Sequence, residues 1–194
     1  MGTQTLLTIA DVKQAGEIES SSHDNRIRLL IASVLATAEA YCHRKFSMDT
    51  FTEYKDIQGS PPSLQVNNPP WVSLTSLTDD QVYGARVIDT AANVVTVQEY
   101  KDRGEVRLYQ SESWFADGVT AAKVVYVGGW TAATFPVELK DALCQEVLFR
   151  LNLAVPGVGS QSADGASVTY NTRNGFAAEV CGVLDRYRQW HRCL

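Results

Sequence analysis

Apolar residues recur at steps of three and four near both ends of the chain, and alternate with polar ones in the stretch between. Ile27, Leu30, Ile31, Val34, Ala38, Tyr41 and Cys42 lie on one helical stripe, with Arg26, Arg28 and Glu39 off it. Asp24 supplies a favourable start for that helix. Ahead of it, Thr8-Ile9-Ala10-Asp11 has the form of a capping box and predicts a short helix stopping near Gly16. Towards the other end, Pro136 sits at a favoured first-turn position. Leu139, Ala142, Leu143, Val147, Arg150 and Leu151 then form a second stripe, with Glu138, Asp141 and Glu146 outside it. A last helix is predicted from about Phe176 to the C-terminus, its apolar edge made by Val180, Val183, Leu184, Tyr187 and Trp190 or His191.

Between the helices the period falls to two. Residues 51–57 alternate, and so do 63–67 beyond a Gly-Ser-Pro-Pro turn at 59–62. Asn67-Asn68-Pro69-Pro70 interrupts the chain before 71–77, and further strand-like pieces follow at 82–88, 94–100, 105–109 and 123–127. Asp102-Arg103-Gly104 reads as a hairpin turn between two of them. Residues 50–130 therefore predict an antiparallel sheet of five or six short strands, open to curling into a small barrel or sandwich. Trp114-Phe115 is read as a plug in its core, because large aromatics are usually buried.

The fold class is α+β: a small helical bundle of N-terminal and C-terminal helices with an inserted antiparallel β-sheet block. The domain plan is a body over 1–155 carrying the β block, a flexible Gly/Ser-rich loop over 156–175 and a C-terminal helix over 176–194. Helices on either side of the insertion must pack together, since neither stripe is buried alone.

Composition narrows the function. The 194 residues are 45% hydrophobic and 20% charged, which suits a chain that buries a core. A net charge of −5 argues against a general nucleic-acid binder. No apolar run approaches the roughly 18 residues of a membrane span, and no secretory signal is visible at the start. The charge is uneven: residues 173–194 carry Arg173, Arg186, Arg188 and Arg192 against Glu179 and Asp185, while every earlier segment is acidic on balance. Three readings stay open for this basic helix. It is a solvated face suited to a helix C-terminus, a docking helix with Tyr187 and Trp190 as aromatic anchors, or a contact for DNA phosphates.

Chemical motifs are scarce. No phosphate-binding glycine loop, nucleophile elbow or His-Glu-x-x-His occurs in the sequence. Cys42, Cys144, Cys181 and Cys193 lie far apart, so reduced thiols are expected. Cys42-His43 and His191 with Cys193 lack the spacing of a zinc site. Asp79-Asp80 is read as a solvated turn. No catalytic residue, metal ligand or cofactor is assigned. An enzyme whose site residues meet only in space, such as His43 with a sheet carboxylate, remains as a rival.

Four segments carry a family likeness. They are Leu6-Leu7-Thr8-Ile9-Ala10-Asp11-Val12-Lys13, the helix ending Ala38-Glu39-Ala40-Tyr41-Cys42-His43-Arg44-Lys45-Phe46, and the pair Val124-Val125-Tyr126-Val127-Gly128-Gly129-Trp130 and Phe135-Pro136-Val137-Glu138-Leu139-Lys140-Asp141-Ala142. In this order, with the Leu184-Asp185-Arg186-Tyr187-Arg188 ending, the chain resembles the head–tail connector family of long-tailed bacteriophages, also called adaptor or head-completion proteins. The stretch 50–130 is larger than in the compact all-helical members. The resemblance implies a structural virion protein, not an enzyme, that forms a homo-oligomeric ring, commonly twelve-fold, under the portal. Such a ring continues the channel through which double-stranded DNA passes without sequence-specific binding, and receives the next connector or tail-completion protein. It also implies that Arg186, Tyr187, Arg188, Trp190 and Arg192 dock on the portal protein, with Gly157, Gly159 and Gly165 in the tether. The implied location is the head–tail interface of the virion, reached by assembly in the host cytoplasm, with no membrane partner.

Overall fold

A computed structural model describes residues 5–59, 61–79, 84, 86–109, 115–152, 160–163, 166–169, 172–173 and 175–189. The chain divides into two compact units, Met1–Arg44 with Ala132–Leu194, and Lys45–Thr131. The class is α+β with helices at both ends, as the periodicity predicts.

The helical unit starts with α1, Ile9–Ala15. Its capping box is formed: Thr8 Oγ1 accepts from the Asp11 backbone at 3.2 Å, and Asp11 accepts from the Thr8 backbone at 2.8 Å. Helix α2, Asp24–Cys42, buries Ile27, Ile31, Val34, Ala38 and Cys42, which is the predicted stripe. It ends at His43, whose left-handed backbone (φ 54°) lets its N–H reach back to the last turn. Helix α5 (numbered after two helices of the sheet unit), Val137–Asn152, packs against α1 and α2 through Leu139, Ala142, Leu143 and Val147. One expectation fails here: Glu146, placed outside the stripe by its polarity, is buried.

In the sheet unit, β1 (Asp49–Ile57), β6 (Gly118–Gly128), β3 (Trp71–Asp79) and β4 (Arg86–Ile88) form an antiparallel sheet in that order. A separate pair, β2 (Ser63–Gln65) with β5 (Glu105–Arg107), brings Leu64 opposite Val106. Trp71, Leu77, Ala122, Val124 and Tyr126 make the core with these two residues and Phe115. The burial of Phe115 meets the expected plug; Trp114 lies outside the described residues. Gly129 (φ 93°) follows β6 where a side chain has no room: a Cβ there would stand 2.6 Å from the Ser47 carbonyl oxygen and 2.9 Å from that of Phe46.

Three local expectations are corrected. Residues 94–100 are not a strand. Asp89 caps a short helix, α3 (Thr90–Asn93), Val94 makes an isolated bridge to Leu108, and α4 (Gln98–Arg103) follows. The β-branched residues Val94, Val95 and Val97 suggested a strand, but Gln98–Asp102 and Glu99–Arg103 are i,i+4 partners that a helix brings together. Asp102-Arg103-Gly104 is accordingly the end of α4, capped by Gly104 at φ 76°, and not a hairpin turn. Asp79 is not in a solvated turn. It is 2% exposed, pairs with Arg86 directly across the strand at 2.8 Å and accepts from the Ala116 backbone at 3.0 Å; Asp80 lies outside the described residues.

Within 156–175 the structure places β7 (Ser160–Ala163) antiparallel to β8 (Ala166–Thr169), and β9 (Thr172–Arg173), which pairs antiparallel with β10 (Phe176–Ala177) just beyond it. The last helix, α6, begins at Ala178 rather than Phe176 and ends at Tyr187, because Arg188 is extended. Among the described residues no helix is long and apolar enough to cross a membrane.

Candidate docking site on the C-terminal helix

Helix α6 is seated against α2 and α5 by Val180, Cys181 and Leu184, all buried. Its entry is fixed by a buried carboxylate. Glu146 Oε2 accepts from the Ala177 backbone at 3.0 Å, and Glu146 Oε1 accepts from Arg150 Nε at 2.7 Å. Arg150 in turn donates to the Gly175 carbonyl at 3.0 Å and lies over the Phe176 ring, 5.5 Å from its centre. A carboxylate with no solvent needs such partners, and here it finds one on its own helix and one in the incoming backbone. Tyr41 packs edge-on to Phe176, ring centres 6.0 Å apart, and donates to Asp185 Oδ1 at 2.5 Å.

The far end of α6 carries the residues singled out for docking. Arg186 Nη1 pairs with Glu138 Oε2 at 2.9 Å, and the Tyr187 hydroxyl donates to Glu138 Oε1 at 2.5 Å. Glu138 stands in the first turn of α5, where the helix dipole favours a carboxylate. Arg188 lies over the Tyr41 ring, 5.0 Å from its centre, and the Gln189 backbone donates to the Cys42 carbonyl at 2.9 Å. So Arg186, Tyr187 and Arg188 are brought together, held by Glu138 and Tyr41. Arg186 remains open to solvent, its side chain 61% exposed. Trp190 and Arg192, with the tether residues Gly157, Gly159 and Gly165, lie outside the described residues.

Burial pushes the Tyr187 hydroxyl up to about 12, with its bond to the Glu138 carboxylate as the next cause. Burial also pushes the Cys42 thiol up to about 12, against the opposing charges of Arg44 and Arg188. The Cys144 thiol is raised to about 11, again chiefly by burial. Thiols this far above neutrality are not thiolates, and so are poor nucleophiles. Cys42, Cys144 and Cys181 are free and buried. His23 and His43 sit at the two ends of α2, and His191 lies outside the described residues. Among the described residues no group of three or more His, Cys, Asp or Glu side chains could hold a metal ion.

Sequence reasoning missed Glu138, Glu146, Arg150 and Tyr41 as the supports of this site. The Glu146–Arg150 spacing of four was a usable signal. The pairing of Glu138 with a helix 48 residues later in the chain was not.

The structure comprises two compact units, and the last helix ends with the exposed Arg186 beside Tyr187. The chain belongs to the head completion protein family, whose model matches residues 5–190. No curated protein matches it in sequence. Three solved structures share its fold at low identity. The neck of an empty GTA particle computed with C6 symmetry matches with a TM-score of 0.59 and 13% identity, covering 94% of this chain and 90% of the other. The neck of a native GTA particle computed with C12 symmetry gives 0.57 and 13%, covering 100% and 97%. A virion of a native gene transfer agent (GTA) particle gives 0.59 and 14%, covering 97% and 92%.

Proposed function

We propose that this head completion protein is a structural head–tail connector subunit, one copy in a homo-oligomeric ring seated under the portal. The family match over residues 5–190 carries the reading. The particle necks that share its fold, computed with six-fold and twelve-fold symmetry, support the repetition, and twelve copies is the number we assign. The ring extends the DNA channel and joins the head to the next connector or tail-completion protein. Its acidic balance suits a channel that double-stranded DNA passes without sequence-specific binding. The protein works at the head–tail interface of the virion after assembly in the host cytoplasm, and has no catalytic role.

In this reading Arg186, Tyr187, Arg188, Trp190 and Arg192 dock on the portal, behind a tether that includes Gly157, Gly159 and Gly165. Arginine beside tyrosine and tryptophan is the residue mix that dominates binding energy at protein interfaces. Replacing Arg186 and Arg192 together by Ala in the full chain tests the assignment. Arg186 makes an exposed ion pair, worth less than about 1 kcal/mol to the fold, so thermal unfolding should barely move. Capture by purified portal should fall by about tenfold or more, the loss of at least one interface anchor. Undiminished capture by portal would overturn the docking assignment.

A further inference from the structure

Two features of the backbone are not used by the docking site. The first is the outer edge of β1. This strand is nine residues long, pairs with β6 on one side and, among the described residues, with no other strand on the opposite side. It contains no proline, and its irregularity is confined to the Lys55–Ile57 end. The other edge strand of the same sheet, β4, has only three residues. An exposed edge of β1's length presents a row of backbone N–H and C=O groups to any extended chain. Its exposed side chains are Asp49, Thr50, Thr52, Tyr54 and Asp56, and its one lysine, Lys55, is held in an ion pair with Glu53 at 2.6 Å.

The second feature is the hairpin of β7 and β8. Four residue pairs, from Ser160 opposite Thr169 to Ala163 opposite Ala166, hold it together, and among the described residues neither strand pairs with a third. Its strands, Ser-Gln-Ser-Ala and Ala-Ser-Val-Thr, carry no charge. A two-stranded hairpin alone in water is marginal and gains most from a third strand.

We propose that the β7–β8 hairpin of one subunit adds to the β1 edge of the neighbouring copy, carrying the four-stranded sheet across the subunit boundary. Edge and hairpin belong to different units of the same chain, so each copy both donates and receives. A contact of that kind is head-to-tail and closes into a ring when its rotation permits. Main-chain hydrogen bonds supply the adhesion. The proposal rests on the ring reading above, and names the surface that builds the ring.

The test uses two populations of the full chain, both with Cys193→Ser. One carries one added cysteine, at Thr50, Thr52 or Tyr54, and the other one at Ser162 or Ser167, beside the buried Cys42, Cys144 and Cys181. They are mixed, alone and on portal-bearing capsids, and oxidised with copper phenanthroline. Strand addition predicts intermolecular disulfides in the ring fraction roughly tenfold or more above the monomer fraction, because assembly raises the effective concentration of the two thiols. It also predicts that only combinations fitting one register link. A second variant replaces 160–169 by a Gly/Ser linker: it should keep the parent's circular dichroism and lose the ring. Rings that form without these cross-links, or that survive the linker variant, overturn strand addition and leave the ring reading standing. Loss of portal capture with the ring intact would reassign the hairpin to the portal and overturn the proposal. Absence of any ring, alone or on capsids, overturns both readings.

Discussion

Removing the Glu146 carboxylate should loosen the entry to α6. Glu146 is 1% exposed and accepts from two donors, Arg150 Nε and the Ala177 N–H. Glu146→Ala leaves the Ala177 N–H without its charged acceptor, a loss of about 1.5–3 kcal/mol. Arg150 keeps its bond to the Gly175 carbonyl and some solvent, its side chain being 21% exposed, so its lost partner adds only about 1 kcal/mol. The sum is about 3 kcal/mol. In a chain of this size that lowers Tm by about 6–12 °C. Glu146→Gln keeps the shape and one acceptor, and should cost about half as much. Urea unfolding gives the free energies, and hydrogen exchange reads the Ala177 amide directly, with exchange about a hundredfold faster in the Ala variant. A double-mutant cycle with Arg150→Met should show coupling of about 1 kcal/mol or more. A loss below about 0.5 kcal/mol, with the Ala177 amide as protected as in the parent, would refute the reasoning.

Gly129→Ala forces a Cβ against the Ser47 and Phe46 carbonyls at a positive φ, and should cost about 2 kcal/mol or more in urea unfolding, whereas substitution at Gly175, with open space around it, should cost less. The raised Tyr187 value means its stabilisation is full below the unfolded tyrosine value of about 10 and is lost as the pH climbs through about 12. The difference in stability between the protein and its Tyr187→Phe variant should therefore shrink as urea titrations move above about pH 10; a constant difference would count against the Glu138 contact. Cys42, Cys144 and Cys181 should resist a thiol reagent in the native state at pH 8 and react on unfolding, read as absorbance released against time.

What could be read from the chain was what its own neighbours settle. The Thr8-Asp11 box and the α2 stripe are local, and both formed where the pattern placed them. Residues 94–100 went astray because β-branched valines outweighed the i,i+4 polar pairs and the Gly104 cap that close α4. Asp79 and Glu146 were read as solvated because an acidic side chain usually is. Their partners come from elsewhere: Arg86 across a hairpin and Ala116 for one, the Ala177 backbone for the other. The same holds for the proposed docking site. Its arginines and aromatics stood out as composition, but Glu138, which holds Arg186 and Tyr187, became visible only once α5 and α6 lay side by side.

The most direct test of the connector assignment is the native mass of the full chain, alone and with purified portal. A closed ring of subunits on the portal, whether or not it forms beforehand, is the predicted result. A monomer under both conditions, at concentrations where portal itself is assembled, would contradict it.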